Sequence, residues 1–229
     1  MSVIEIREQL GELSALCVGD RAAATLVVVL HGREMEAADL APFVSSMARD
    51  AYWVFPDAPL PASRARTWWP VDSEARLRRL TQGPMELSAM DPPGRAEARA
   101  QLGSLLVALD AAHRPFVLVG FSQGGMLAMD YVLHGGLRPA ALALLSSTRI
   151  ALADWQARAT VIANLRVLVC HGTREAELSF AAGELLRDFA TDAGATTTWL
   201  PFEGGHELPF VVWRALKKLV TELRELREA

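Results

Sequence analysis

Ser122 lies in Gly120-Phe121-Ser122-Gln123-Gly124, between a short β-favouring apolar run, residues 116–119, and a stretch with helical apolar spacing, residues 126–133. The five residues fit the G-x-S-x-G pattern, in which a tight strand-to-helix turn lifts a serine hydroxyl clear of a sheet. The residue types suit that geometry. Gly120 and Gly124 carry no Cβ, so strand and helix can pack closely beside the turn. The Gln123 amide falls at the amino end of the helix, where it can donate to a developing oxyanion. This sets up nucleophilic attack on a carbonyl. A glycine-rich turn can also be purely structural, so the partners of the serine decide between the two readings.

A serine hydroxyl is a weak nucleophile until a base takes its proton. Of the five histidines, His113 and His134 read as helix-terminal residues. His31 and His171 each follow a strand and precede glycine, a setting that favours a bracing hydrogen bond to backbone. His206 differs: it follows the last strand, in Gly204-Gly205-His206, and it alone comes late enough for the chain order serine, acid, histidine. The acid is expected after a strand between Ser122 and His206. Glu175, just past the strand ending at Cys170, is favoured by position, with Glu177 and Asp154 as alternatives and Asp192 as an exposed helix residue. A solvated surface charge is the bland reading of each. A carboxylate in the right place would orient the imidazole and stabilise the imidazolium that forms during attack. The second oxyanion donor is expected in the loop after the strand at 25–30, where Gly32 permits a tight turn and the Arg33 amide is the candidate. The Arg33 side chain reads as a solvated charge or as an attractor for an anionic substrate group.

These residues need elements to position them. Strands are expected at 14–18, 25–30, 52–55, 116–119, 141–145, 166–170 and 196–200, and helices at 37–49, 95–113, 126–133, 178–193 and 208–226. Leu40, Phe43, Val44 and Met47 share one face of the first helix. Ala98, Leu102, Leu105, Leu106 and Leu109 recur at helical spacing in the second. Apolar strands alternating with helices predict an α/β fold, a mostly parallel sheet covered on both faces, with ligands beyond the carboxyl ends of the strands. His31, Trp68, Ser122, Glu175 and His206 all fall at such ends. Residues 60–94 read as one long irregular connection, of the kind that is functional or disordered inside a compact domain.

The 229 residues suit a single domain, 1–229, with no separate cap domain. The net charge of -4 and the lack of a basic stretch argue against a nucleic-acid partner. Cys17 and Cys170 lie in apolar runs and read as buried free thiols. The amino terminus lacks the pattern of a signal peptide, and the longest apolar run, residues 22–30, is too short to span a bilayer. A soluble cytoplasmic protein without stable membrane insertion is expected. Oligomeric state is not readable.

Five pieces together resemble the phospholipase/carboxylesterase family of the α/β-hydrolase fold, which includes acyl-protein thioesterases and small bacterial carboxylesterases. They are Leu30-His31-Gly32, Arg66-Thr67-Trp68-Trp69, Gly120-Phe121-Ser122-Gln123-Gly124-Gly125, His171-Gly172-Thr173-Arg174-Glu175 and Gly205-His206-Glu207. The resemblance implies Ser122 as nucleophile, His206 as base, and the amides of Arg33 and Gln123 as oxyanion donors. It implies a serine carboxylester hydrolase acting on a small-molecule ester, with no metal or cofactor. A thioesterase or lysophospholipase on the same machinery and a non-catalytic binding protein are the rivals. Trp68 and Trp69 resemble the family's aromatic segment beside the substrate, and with Met85, Leu87 and Met90 they are expected to line an apolar acyl site, the alternative being that the tryptophan pair is core. Two departures stand out. Glu175 replaces the family's aspartate and is followed by Ala176-Glu177-Leu178-Ser179 where a Pro-Val-Val-Pro-like stretch is usual. Gly32-Arg33-Glu34-Met35 replaces the Gly-Leu-Gly-Asp common in the thioesterases, and is closer to the bacterial esterase branch.

Overall fold

The computed structural model describes residues 5–46 and 51–228. Eight strands form one sheet: β1 (Glu5–Leu10), β2 (Leu13–Val18), β3 (Thr25–Leu30), β4 (Ala51–Pro56), β5 (Phe116–Phe121), β6 (Ala141–Leu145), β7 (Arg166–Gly172) and β8 (Thr196–Phe202). Their order in space is β1-β2-β4-β3-β5-β6-β7-β8. The β1–β2 and β2–β4 pairs are antiparallel, and the other pairs are parallel.

The sequence of the central strands explains their position. β3 (Thr-Leu-Val-Val-Val-Leu) and β6 (Ala-Leu-Ala-Leu-Leu) are apolar almost throughout and buried at every residue, as strands covered on both faces must be. Alternate side chains feed two cores. Leu26, Val28, Leu30, Leu118, Leu142 and Leu144 face one core, with Leu102, Leu105, Leu127, Trp155 and Leu186 from the helices. Val27, Val29, Val117, Val119, Ala143 and Cys170 face the other, with Leu40, Val212, Trp213, Leu216 and Val220. The first cover is built by α3 (Arg95–Ala108), α4 (Gln123–Leu133), α5 (Leu152–Ala157) and α6 (Phe180–Asp192). The second is built by α1 (Ala37–Leu40) and α7 (Phe210–Glu228). Both cysteines are buried and free. Among the described residues, no helix is long and apolar enough to cross a membrane.

Three expectations change. The helix expected at 37–49 is α-helical only to Leu40 and continues as a 3-10 helix over Ala41–Ser46, with residues 47–49 outside the described residues. Pro42 lacks the amide that a continuing α-helix requires, and Phe43 is exposed, stacked on Trp213. The connection at 60–94 is not irregular throughout. Leu60–Pro61 and Arg66–Thr67 pair as a short hairpin, and α2 spans Ser73–Leu80. Asp72 caps α2 by accepting from the Ala75 amide at 2.9 Å, but α2 buries none of its residues and so has no apolar stripe to read. β1, also unforeseen, is an edge strand whose Ile6 is exposed.

The chain leaves β3 toward β4 on one side and returns to β5 on the other. Such a reversal opens a crevice beyond the carboxyl ends of the two neighbouring strands. Gly32 follows β3 and Ser122 follows β5, so both border that crevice.

Candidate active site

Ser122 sits between β5 and α4 with φ 53° and ψ -117°, a conformation that L-residues avoid. Such a backbone costs on the order of 1–3 kcal/mol and persists only where its surroundings enforce it. Here the Ser122 amide donates to Leu145 O at 2.9 Å, and its carbonyl accepts from the amides of Gly125 and Met126 and from Ser147 Oγ. The flanking glycines are required by contact: a Cβ on Gly120 would fall 2.2 Å from Gly124 O, and one on Gly124 would fall 2.4 Å from Leu30 O.

Two further strand ends bring the partners in. Beyond β7 and β8 the pairing continues, with Thr173 N donating to Phe202 O and Arg174 N to Gly204 O, each at 2.8 Å. This fixes the loop carrying Glu175 against the loop carrying His206. His206 Nε2 lies 2.9 Å from Ser122 Oγ, and His206 Nδ1 lies 2.7 Å from Glu175 Oε2. Glu175 Oε1 accepts from the Glu177 amide at 2.9 Å. Burial opposes the charged form of Glu175, yet the His206 hydrogen bond and charge and the Glu177 amide together hold its carboxyl below the usual range. The His206 ring packs against Phe121, with centroids 4.8 Å apart. In this chain of contacts, Ser122 Oγ lies within hydrogen-bond distance of an imidazole whose far nitrogen faces a carboxylate.

Among the three acids weighed from the sequence, the one that faces His206 is Glu175. Asp154 belongs elsewhere, held by Arg95 at 2.7 Å, His134 Nε2 at 3.0 Å and Arg158. Asp130, His134 and Asp154 place three ligand atoms within 4.8 Å of one another, but the guanidinium groups of Arg95 and Arg99 already occupy the Asp130 carboxylate. That cluster is an ion-pair network joining α3, α4 and α5. Glu177 pairs with Arg76 of α2.

His31 and His171 brace loops. Ala58 N donates to His31 Nε2 at 2.9 Å, so Nδ1 carries the proton and donates to Gly32 O at 2.7 Å. His171 Nε2 donates to Leu178 O at 3.1 Å. Burial pushes both imidazoles below their ordinary range.

The Gln123 amide is at the first position of α4, where no intrahelical acceptor exists. The loop after β3 passes close by: a Cβ on Gly32 would lie 3.2 Å from Ser122 Cβ. Arg33 and Gln123 line the same cavity as Ser122 and His206. The Arg33 side chain pairs with Glu34 at 2.5 Å, so it is not a free charge facing a ligand. The Gln123 side chain has a separate task, which the sequence did not reveal. Its Oε1 accepts from Trp68 N at 3.0 Å and lies 3.0 Å from Thr67 Oγ1, tying the elbow to the 60–94 segment.

The cavity measures about 640 Å³. Its wall includes Trp69, Val71, Met85, Leu87, Met90, Met126 and Ile150, with Ala75, Arg76 and Arg79 from α2. Trp69 and Met90 are therefore where a substrate could meet them, although Trp69 is largely buried. Trp68 is not. It is only 1% exposed and its Nε1 donates to His31 O at 2.9 Å, which makes it a brace beneath the β3 loop.

A model of the phospholipase/carboxylesterase family matches residues 107–223. Similar solved structures include esterase PE8, with a TM-score of 0.76 and 25% identity over 92% of this chain and 99% of that one. TT1662 from Thermus thermophilus superposes with a TM-score of 0.75 at 18% identity, covering 97% of this chain and 98% of that one. Acyl-protein thioesterase 2 from Zea mays gives 0.70 at 18%, covering 91% and 98%. The last two likenesses speak for the fold. No curated protein matches significantly. The family match spans just over half of the chain and contains the serine elbow, the Glu175 loop and the His206 loop, so this chain belongs to the phospholipase/carboxylesterase family of α/β hydrolases.

Proposed function

We propose that the chain is a serine carboxylester hydrolase working through an acyl-enzyme. Ser122 Oγ attacks the ester carbonyl while His206 Nε2 takes its proton. Glu175 stabilises the resulting imidazolium, and the amides of Arg33 and Gln123 receive the charge on the tetrahedral oxygen. His206 then hands the proton to the departing alcohol, leaving Ser122 acylated. Water, deprotonated by His206, attacks the acyl-enzyme and releases the acid. No step calls on a cofactor.

The observation that carries this reading is the unbroken hydrogen-bonded path from Ser122 Oγ through His206 to Glu175, opening into one cavity. The apolar wall of Val71, Met85, Leu87, Met90 and Ile150 supports an acyl chain of small or medium length as the occupant. Turnover of a nitrophenyl ester series, run beside an acyl-CoA and a lysophospholipid, tests it. The expected result is best turnover of small or medium esters and its loss in Ser122→Ala. Preference for acyl-CoA would make the protein a thioesterase on the same machinery, and preference for the lysophospholipid a lysophospholipase. An unimpaired Ser122→Ala variant would remove the mechanism.

A further inference from the structure

The segment after Glu175 makes contacts that reach outside its own loop. Residue 177 is held at three points. Its amide donates to Glu175 Oε1 at 2.9 Å, its carbonyl accepts from Met85 N at 2.8 Å, and its carboxylate pairs with Arg76 of α2. Ser179 N then donates to Met85 O at 2.9 Å, closing a small bridge between residues 85 and 178. The turn that aims the Glu175 carboxylate is thus fastened to the segment that walls the cavity. α2 buries none of its residues, so apolar packing contributes little to holding it. The Arg76 side chain is 18% exposed and that of Glu177 40%, so the pair is partly shielded from the screening that weakens fully solvated ion pairs.

We propose that Arg76 and Glu177 act as a positioning pair for Glu175, a proposal that rests on reading Ser122, His206 and Glu175 as the triad. The pair touches neither the reacting atoms nor His206. It fixes the peptide whose amide orients one carboxylate oxygen, so that the other meets His206 Nδ1. Other titratable groups nearby have their own partners: Arg174 pairs with Glu203 at 2.7 Å, Asp72 caps α2, and His171 is bonded to Leu178 O. Glu175 and the arginine–glutamate clasp then form one arrangement. Glutamate has one more rotatable bond than aspartate, and the clasp restricts it.

The test is a double-mutant cycle on kcat, KM and the pH profile of ester hydrolysis, with Arg76→Gln, Glu177→Gln, the double variant and the swap Arg76→Glu/Glu177→Arg. Arg78→Gln, on the exposed side of α2 beside Glu74, is the control expected to match wild type. Each single variant is expected to lower kcat on the order of tenfold, the double to be no worse than the poorer single, and the swap to recover much of the loss. The acid limb of the profile distinguishes positioning from a plain field effect. Loosening Glu175 weakens its hold on the imidazolium, so both single variants should move the limb to lower pH. Loss of charge alone would move them in opposite directions: up when the cation goes, down when the anion goes. Opposite shifts, additive losses, or changes confined to KM would overturn the proposal. Melting curves establish that each variant is folded, and if the swap does not fold, the cycle and the direction of the shifts decide. A wild-type chain that neither turns over an ester nor takes up a fluorophosphonate would instead remove the triad reading, and this proposal with it.

Discussion

A serine oxygen 2.9 Å from an imidazole is only as nucleophilic as the imidazole is basic, and that depends on what sits behind the ring. Behind His206 is Glu175, whose side chain has no solvent exposure. Replacing Glu175 with Gln keeps the shape but removes the charge that the imidazolium needs. A fall in kcat of about 10⁴-fold with a near-normal melting temperature is expected, measured by steady-state hydrolysis and thermal melting. Glu175→Asp should retain part of the activity, because the charge survives but sits one methylene short of the 2.7 Å contact. Asp154→Asn should leave kcat near wild type, since Asp154 is bonded to Arg95 and His134. The pH profile follows from the same contacts. The base must be neutral to accept a proton, so kcat should rise with pH. Despite burial, Glu175 is held below the ordinary carboxylate range and is already charged near neutral pH. The rising limb of log kcat should therefore have unit slope, and a slope of two would mean that the carboxylate titrates with it.

At the scale of elements, the site depends on a close crossing of β3, β5 and α4. A Cβ on Gly124 would press on Leu30 O at 2.4 Å and His31 O at 2.6 Å, backbone atoms that cannot turn aside. Gly124→Ala should cost about 1–3 kcal/mol or more, seen as a melting temperature lowered by several degrees, with activity lost as Ser122 shifts. The 60–94 segment should divide by burial. Trp68→Ala removes a buried brace and should destabilise by about 3–5 kcal/mol, whereas Met90→Ala enlarges the cavity and should shift chain-length preference with a smaller change in melting. Elements were legible where their apolar residues had a period. β3 and β6 were readable to the residue, as were the buried positions of α3. α2 was not, because it packs no apolar face and is marked only by its Asp72 cap and terminal charges. The change from α-helix to 3-10 helix after Leu40 was missed because the apolar spacing outweighed Pro42.

At the scale of the whole molecule, a sheet whose order reverses at β3 and β5 gathers residues far apart in sequence at one edge. The placement of Ser122, Glu175 and His206 beyond strand ends was legible, because Ser122 and Glu175 each follow an apolar run that reads as a covered strand and His206 follows a β-branched run, which forms the edge strand β8. Their mutual distances were not, since the links from Thr173 to Phe202 and from Arg174 to Gly204 depend on β7 and β8 lying side by side. Of the cavity wall, Trp69, Met85, Leu87 and Met90 were legible, but the contribution of α2 was not. Clasps such as Arg76 with Glu177 and Gln123 with Thr67 and Trp68 join elements with no sequence proximity, and ordinary polar residues do not announce such partners. The central claim is that all of this serves one activated hydroxyl. It is tested most directly by treating the native protein with a fluorophosphonate and locating the adduct by peptide mass spectrometry. The account predicts one adduct per chain, on Ser122, formed rapidly in wild type and far more slowly in His206→Ala. No adduct, an adduct elsewhere, or labelling indifferent to His206 would contradict it.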